Sequence, residues 1–292
     1  MKIKILIPIY NDWESVSELI KKIDLEIKNL NHEVSIIIIN DASSEKKEIN
    51  THGLEKIKSV ELIDMMKNGG HARCIASGLK YIFEKKDFDY VIPMDGDGED
   101  RPSEIKDFIE YTEYSPNKTI VGERVKRSES LFFKFCYNIH KMLTYFFTGK
   151  SIKFGNFTCL TKPTVKNLVN EKATWNSFSG ALTKVEKDKT SIPSIRGIRY
   201  FGPSKMSFVN LLRHSFSIIS VFRFNVLIRS IFFLIIYSFL ILNYISIITV
   251  IPIPIILLLN ALIFRLAKRE NIEEYKNCLA NIENVIELKK DS

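Results

Sequence analysis

Between Val226 and Leu266 the chain turns almost wholly apolar. Ile231 to Leu242 and Tyr244 to Phe264 hold no charged residue, and only Arg229 and Arg265 carry charge in the whole stretch. A bilayer crossing takes about 20 apolar residues, so this run of about 40 suffices for two helices and a tight turn. Two places suit that turn: Asn243-Tyr244 and the pair Pro252 and Pro254. Arg213, Arg223 and Arg229 lie before or at the start of the run, and Arg265, Lys268 and Arg269 at its end. Basic residues collect on the cytosolic side of membrane segments. The expectation is a two-helix hairpin with both ends in the cytosol, which makes the chain a multi-pass protein of the cytoplasmic membrane. The competing arrangement is a helical hairpin buried in a soluble core, but a run this long and this apolar is rare there.

The other residues of the 292-residue chain are enough for one large domain or two modest ones. Cys74, Cys136, Cys159 and Cys278 lie far apart with no C-x-x-C spacing, so they read as reduced thiols in the cytosol. Met1 leads directly into an apolar strand, with no signal peptide in view. The net charge is +8, spread along the chain with no base-reading motif, so nucleic acid is not an expected partner. Attraction to anionic lipid accounts for it better.

Before the apolar run, strand and helix patterns alternate. Lys2 to Ile9 is a strand. Asn11 then caps a helix with Glu14 three residues on, and Val16, Leu19, Ile20, Ile23, Ile27 and Leu30 recur at helical spacing. Val34 to Ile39 is a β-branched run suited to a strand buried on both faces. Val60 to Met65 is a third strand, His71 to Phe83 a helix, Tyr90 to Met94 a fourth strand and Thr119 to Gly122 a fifth, with Pro102 opening the helix between the last two. This alternation predicts an α/β fold with a mainly parallel, doubly wound sheet. Ligands bind outside the carboxyl ends of such strands, where Pro8-Ile9-Tyr10, Asp41-Ala42-Ser43 and Asp95-Gly96-Asp97 fall.

Asp95 and Asp97 flank a glycine directly after a strand, and Gly98, Glu99 and Asp100 follow. Carboxylates at that spacing suit Mg²⁺ or Mn²⁺, which prefer oxygen ligands and leave room for substrate phosphates. An acidic surface turn is the plainer alternative, weakened by the convergence of three strand ends. Asp41 either accepts from a base or ribose or simply caps a helix. The turn beginning at Asn68 (Asn68-Gly69-Gly70-His71) opens a helix whose free N–H groups suit a phosphate, and His71 is either a phosphate contact or a surface residue. An aromatic-rich helix from Leu131 to Phe147 either rests in the lipid interface or packs in a core. Trp13 and Trp175 read as packing residues.

In order, these segments resemble the family-2 glycosyltransferases with a GT-A fold. The resemblance is carried by Ile5-Leu6-Ile7-Pro8-Ile9-Tyr10-Asn11, Ile39-Asn40-Asp41-Ala42-Ser43, Asn68-Gly69-Gly70 through Gly78-Leu79, and Met94-Asp95-Gly96-Asp97-Gly98-Glu99-Asp100-Arg101-Pro102. It implies a nucleotide-sugar donor, with UDP the expected nucleotide, and inversion at the anomeric carbon. Pro8, Tyr10 and Asp41 would hold base and ribose, and Asn68 would join the donor site. Asp95 would lie by the ribose and diphosphate, and Asp97 would bind the metal with Asp95 nearby. Beyond Arg124 the chain resembles the polyprenyl-phosphate sugar transferase branch, through Gly122-Glu123-Arg124 and the segment Arg199-Tyr200-Phe201-Gly202-Pro203-Ser204-Lys205 ahead of the hairpin.

That likeness divides the chain into a glycosyltransferase domain at 1–215, with a nucleotide-sugar half (1–124) and an acceptor half (125–215), a hairpin at 226–266 and a cytosolic tail at 267–292. It implies a lipid acceptor, polyprenyl phosphate, and makes Arg124 a catalytic cation with Arg127, Arg199 and Lys205 on the acceptor. A homo-oligomer is compatible with it. Gly98-Glu99 and Arg101-Pro102 depart from the branch's usual acidic motif, and Gly155-Asn156-Phe157 replaces an aspartate-X-arginine stretch. A different acceptor, such as a lipid-linked saccharide, therefore stays open, as does a non-catalytic membrane scaffold with a degenerate site. A nucleotidyltransferase would need a glycine-rich basic loop after the first strand, and Ile9 to Ser15 has none. No Gln-X-X-Arg-Trp segment of the processive synthases is present.

Overall fold

The computed structural model describes residues 1–45, 47–126, 131–203 and 208–290. The first half runs β1 (Lys2–Ile9), α1 (Trp13–Glu26), β2 (Glu33–Asn40), β3 (Ile57–Met65), α2 (His71–Lys85), β4 (Tyr90–Pro93), α3 (Ser103–Tyr114) and β5 (Thr119–Lys126). The second half runs α4 (Leu131–Thr148), β6 (Phe154–Thr161), α5 (Lys162–Asn170), a 3-10 turn (Lys172–Trp175), α6 (Phe178–Val185), β7 (Lys189–Ile195) and α7 (Phe208–Ser220). The chain ends with α8 (Arg223–Ile241), α9 (Ile247–Val250), α10 (Pro252–Ala267), α11 (Ile272–Lys276) and β8 (Ile282–Lys289).

The sheet order is β7-β5-β6-β4-β1-β2-β3-β8. Its centre is parallel, β4-β1-β2-β3, and β5 pairs parallel with β7, while β6 and β8 run antiparallel to their neighbours. The mainly parallel α/β sheet expected from the alternation is therefore present. Ile3, Ile5, Ile7 and Ile9 of β1 pack with Trp13, Val16 and Leu19 of α1 and Phe108 of α3, whereas Leu6 faces Ile75 and Leu79 of α2. Burial on both faces is why these strands read as unbroken apolar runs. A methyl on Gly78 would stand 2.3 Å from a Leu6 methyl carbon, so glycine lets α2 lie close against the sheet.

Three local expectations change. Asn11 does not cap α1: it sits at φ 54°, and Asp12 takes the cap position with no side-chain hydrogen bond to the helix. Asn11 instead donates through Nδ2 to Ser44 Oγ at 2.9 Å and accepts from the Glu45 amide at 3.2 Å, tying together the loops after β1 and β2. Pro102 stands one place before α3, in helical conformation. The described part of the cytosolic tail expected at 267–292 is folded onto the domain. It forms α11 and then β8, whose backbone pairs with the edge of β3 from Val60↔Lys289 to Met65↔Ile282. A parallel sheet with an exposed edge strand has unpaired backbone groups, and β8 covers them.

The apolar run forms α8 and α10, with Asn243 and Tyr244 in the turn and Pro252 and Pro254 at the start of α10, where a missing N–H costs no helical hydrogen bond. The segments Arg223–Ile241 and Ile247–Lys276 are long and apolar enough to cross a membrane. Phe232, Ile235, Phe239 and Leu258 are each more than 60% exposed, which a soluble-core hairpin would not leave. Between the helices, Asn260 Nδ2 donates to Ser230 Oγ at 2.8 Å. At the base, Phe147 of α4, Ile219 of α7, Val226 of α8 and Ile263 of α10 form one small core. The aromatic helix α4 thus packs against the hairpin through Phe147 and leaves Tyr145 and Phe146 exposed, while the side chains of Phe132, Phe133 and Phe135 lie outside the described residues.

Candidate active site

Because β1, β2 and β4 are parallel, their carboxyl ends share one edge, and Tyr10, Asp41 and Asp95 emerge there together. Pro8 is buried in β1 opposite Ile39, against Gly96, and Tyr10 is 40% exposed just beyond the strand. Asp41 is buried, and its two carboxylate oxygens accept from the Gly69 amide at 2.7 Å and the Gly70 amide at 2.8 Å. Asn68 Nδ2 donates to the Asp41 carbonyl at 3.0 Å. Asp41 therefore clamps the turn that starts α2. Of the two sequence alternatives for Asp41, neither is seen as such: its carboxylate braces the turn ahead of α2, and the Gly69 and Gly70 amides are spent on it.

The acidic loop is held from within. The Asp95 amide donates to Asp100 Oδ2 at 2.9 Å, and the Glu99 amide to Asp97 Oδ1 at 3.0 Å. Gly98 takes φ 87°, and a Cβ there would stand 2.5 Å from the Tyr200 ring, so glycine is required twice over. The irregular segment after β7 folds across this loop. The Gly197 amide donates to the Glu99 carbonyl at 2.7 Å and the Tyr200 amide to the Asp97 carbonyl at 3.0 Å. Arg196 pairs with Glu99, and Arg199 Nη1 donates to Asp97 Oδ2 at 2.9 Å while its Nη2 pairs with Asp12.

Asp95 faces the other way. His71, the first residue of α2, places Nε2 3.2 Å from Asp95 Oδ1, and Asn156 of β6 donates from Nδ2 to the same oxygen at 3.2 Å. The Asn156 nitrogen lies 2.7 Å from His71 Nε2. Burial alone would lower His71 and raise Asp95, but their mutual hydrogen bond and charge outweigh it, so His71 is raised and Asp95 falls far below the ordinary carboxylate range. Arg196 and Arg124 add to the depression of Asp95. Burial and the Asp95 charge push Asp97 up to about 6 and Asp100 up to about 7. Arg124, on β5, lies against Gly155, and its charge offsets that of Asp95 and Asp100.

Of the residues singled out in the sequence, Tyr10, Asp41, Asn68, Asp95, Asp97, Arg124 and Arg199 are drawn to one edge, with Pro8 beneath it. Arg127 and Lys205 lie outside the described residues. Asp12, Asn156 and Arg196 join the site without having been assigned to it by sequence, and His71, left open as a phosphate contact or a surface residue, faces Asp95. The only signal for Asn156 was its place in the stretch that departs from the family pattern. Among the described residues no group of three His, Cys, Asp or Glu side chains is disposed to hold a metal ion. Asp95 and Asp97 are turned to different partners, one to His71 and one to Arg199.

A family model described as Glycosyl transferase family 2 matches residues 4–165. Among similar curated proteins, an undecaprenyl-phosphate 4-deoxy-4-formamido-L-arabinose transferase of Photorhabdus laumondii is 28% identical over 229 residues, covering 75% of this chain and 67% of its own. Its counterpart from Serratia proteamaculans is 26% identical over 233 residues, with the same coverage. Among solved structures, the glucosyl-3-phosphoglycerate synthase of Mycobacterium tuberculosis, in complex with Mn²⁺, UDP-glucose and phosphoglyceric acid, superposes with a TM-score of 0.56 at 10% identity, over 77% of this chain and 79% of that one. TarS 1-349 of S. aureus superposes with a TM-score of 0.50 at 10% identity, and the match spans 77% of this chain and 65% of the TarS chain. At such identity these structures establish the fold, which is the one expected from the sequence.

Proposed function

The chain belongs to glycosyl transferase family 2, and from that premise we propose that it moves a sugar from a UDP-sugar to the phosphate of a polyprenyl phosphate at the cytosolic face of the membrane. The observation that carries this is the convergence of Asp41, Asp95, Asp97 and Asp100 with Arg124 and Arg196 on one sheet edge, in a domain whose chain leaves through α8 and returns from α10 to complete the same sheet with β8. Because both ends of the hairpin meet one domain, both belong on one side of a bilayer. The basic residues around them favour the cytosolic side. The curated relatives, by their names, act on undecaprenyl phosphate.

Tyr10 offers a face for the base, and the amides of Gly69 and Gly70 are fixed by Asp41 at the start of α2, beside the place for the diphosphate. Asp95 and Asp97 would hold Mg²⁺ or Mn²⁺. The fit rests on their carboxylate oxygens at the strand end; burial and the Asp95 charge hold Asp97 up to about 6 even beside Arg199. A bound cation would supply charge to the departing diphosphate. Arg199, which now neutralises Asp97, would have to turn away, and its guanidinium would then be available to an anionic acceptor.

The acceptor phosphate is already ionised at neutral pH and needs no general base. Its oxygen forms the new bond to the anomeric carbon, the bond to the donor diphosphate breaks, and the electron pair leaves with UDP. Arg124 and Arg196 carry positive charge beside the acidic loop, where they hold phosphate oxygens against the carboxylates. The hairpin confines enzyme and lipid to one surface, which supplies proximity.

Detergent-purified protein with Mn²⁺, a panel of UDP-sugars, and either undecaprenyl phosphate or a lipid-linked saccharide tests this. Metal-dependent formation of a lipid-phosphate sugar, lost in Asp97→Ala, is the expected result. Transfer to the lipid-linked saccharide alone would move the acceptor, and no metal-dependent interaction with any donor would leave a scaffold.

A further inference from the structure

His71 and Asn156 face the acidic loop, and the transfer proposed above gives neither of them a task. Their meeting with Asp95 is built by the fold. β6 runs antiparallel to β4, with Tyr90 opposite Thr161 and Val91 opposite Leu160. Each step forward along β4 is one step back along β6. The same register, carried four residues on from Val91 and Leu160, sets Asp95 opposite Asn156. His71 comes from α2 as its first residue, directly after the Gly69-Gly70 turn that Asp41 braces.

The three side chains close on one point. His71 Nε2 lies 3.2 Å from Asp95 Oδ1, and Asn156 Nδ2 donates to that same oxygen at 3.2 Å. The Asn156 nitrogen is 2.7 Å from His71 Nε2. Asn156 is buried, and among the described residues its side-chain nitrogen meets no partner besides these two. A buried amide stripped of its partners costs free energy, so Asn156 is committed to this contact. The contact ties together the start of α2, the loop after β4 and the start of β6.

A carboxylate serves a metal ion only when it is aimed, and the groups that aim it are hydrogen-bond partners standing behind it. Arg199 on Asp97 is a charged partner that a cation would have to displace. On Asp95 both His71 and Asn156 meet a single oxygen, and Asn156 is an uncharged amide, which orients the carboxylate without opposing a cation.

We propose that His71 and Asn156 are positioning residues, which fix the Asp95 carboxylate for the divalent cation that accompanies the donor diphosphate. This rests on Asp95 being a metal ligand, as proposed above, and it is tested without sugar transfer.

Mn²⁺ binding to the detergent-purified full chain would be measured with UDP present and no acceptor, from the electron paramagnetic resonance signal of free Mn²⁺. His71→Ala, and Asn156→Leu, which keeps the volume and removes the donor, should each weaken binding about tenfold. His71→Gln carries its terminal amide as many bonds from the backbone as Nε2, so it can donate in the ring's place and should restore most of the affinity. His32→Ala is the control. His32 pairs with Glu113 and directly precedes β2, at the opposite ends of the strands, so this variant should bind as wild type does. His71→Gln as weak as His71→Ala would show that the ring only fills space. His71→Ala and Asn156→Leu with wild-type affinity would show that Asp95 needs no support. Either result overturns the proposal while leaving the metal site in place. Wild-type protein that binds no Mn²⁺ beside UDP overturns the metal role of Asp95 and the proposal together, and sugar transfer is then judged separately, from its products.

Discussion

Arg199 holds Asp97 with a 2.9 Å hydrogen bond, so the carboxylate proposed for the divalent cation already has a cation of the chain itself as its partner. The same guanidinium reaches Asp12, which fixes it across the start of α1. A metal bound as proposed would compete with Arg199 for one Asp97 oxygen.

Replacing the competitor should tighten metal binding. In Arg199→Gln, donor-free protein at pH 8 is expected to bind Mn²⁺ several-fold more tightly, read by the electron paramagnetic resonance signal of free Mn²⁺. Equal or weaker binding would mean that Arg199 does not guard the site.

The pH dependence follows from Asp97, which burial and Asp95 push up to about 6. Metal requires the ionised carboxylate, so Mn²⁺ affinity should be steady above pH 7 and fall as pH drops through about 6. Titration calorimetry at pH 5, 6 and 8 checks this, and a flat profile would contradict it.

Stability has the opposite sign. Asp100 is raised to about 7 by burial and by Asp95, above its unfolded value, so the metal-free fold binds a proton more readily than the unfolded chain does. Its ionisation costs stability as pH rises toward 7. Asp100→Asn keeps an oxygen for the Asp95 amide and removes the charge. It should raise the stability at pH 8 by an amount on the order of 1–2 kcal/mol, read as a higher thermal midpoint, and change little at pH 5. An Asp100→Asn protein less stable at pH 8 would show that the charge is compensated.

Asp41→Ala strips the partners from the Gly69 and Gly70 amides. Leaving such amides unsatisfied costs about 1–3 kcal/mol each. Because the turn opens α2 beside the proposed diphosphate, donor affinity should fall at least tenfold, with the loss appearing in donor KM more than in kcat. A fall in kcat alone would place Asp41 elsewhere in the reaction.

The sheet was legible because its strands are buried on both faces and announce themselves as runs of isoleucine and valine, as in Ile36 to Ile39. The hairpin was legible because a bilayer demands length and apolarity. What escaped were relationships across long sequence separations. β8 carries alternating charged and apolar residues that read as solvated tail, and only the open edge of β3 makes it a strand. His71, Asn156 and Asp95 lie 85 and 61 residues apart in two of their pairings, and no local pattern joins them. Asn11 looked like a helix cap because asparagine favours both that position and the left-handed conformation it actually adopts. Arg199 does lie against the acidic loop, but a sequence gives no sign that the cation assigned to an acceptor pairs with the acid assigned to a metal.

Sugar transfer to a lipid phosphate is tested by identifying both products of one reaction. Purified protein, Mn²⁺, the UDP-sugar it accepts and undecaprenyl phosphate would be quenched and resolved by mass spectrometry. UDP and a lipid carrying one sugar on a single phosphate, in equal amounts, are the expected products. Release of UMP with a lipid diphosphate sugar, or release of UDP with the lipid unchanged, would contradict it.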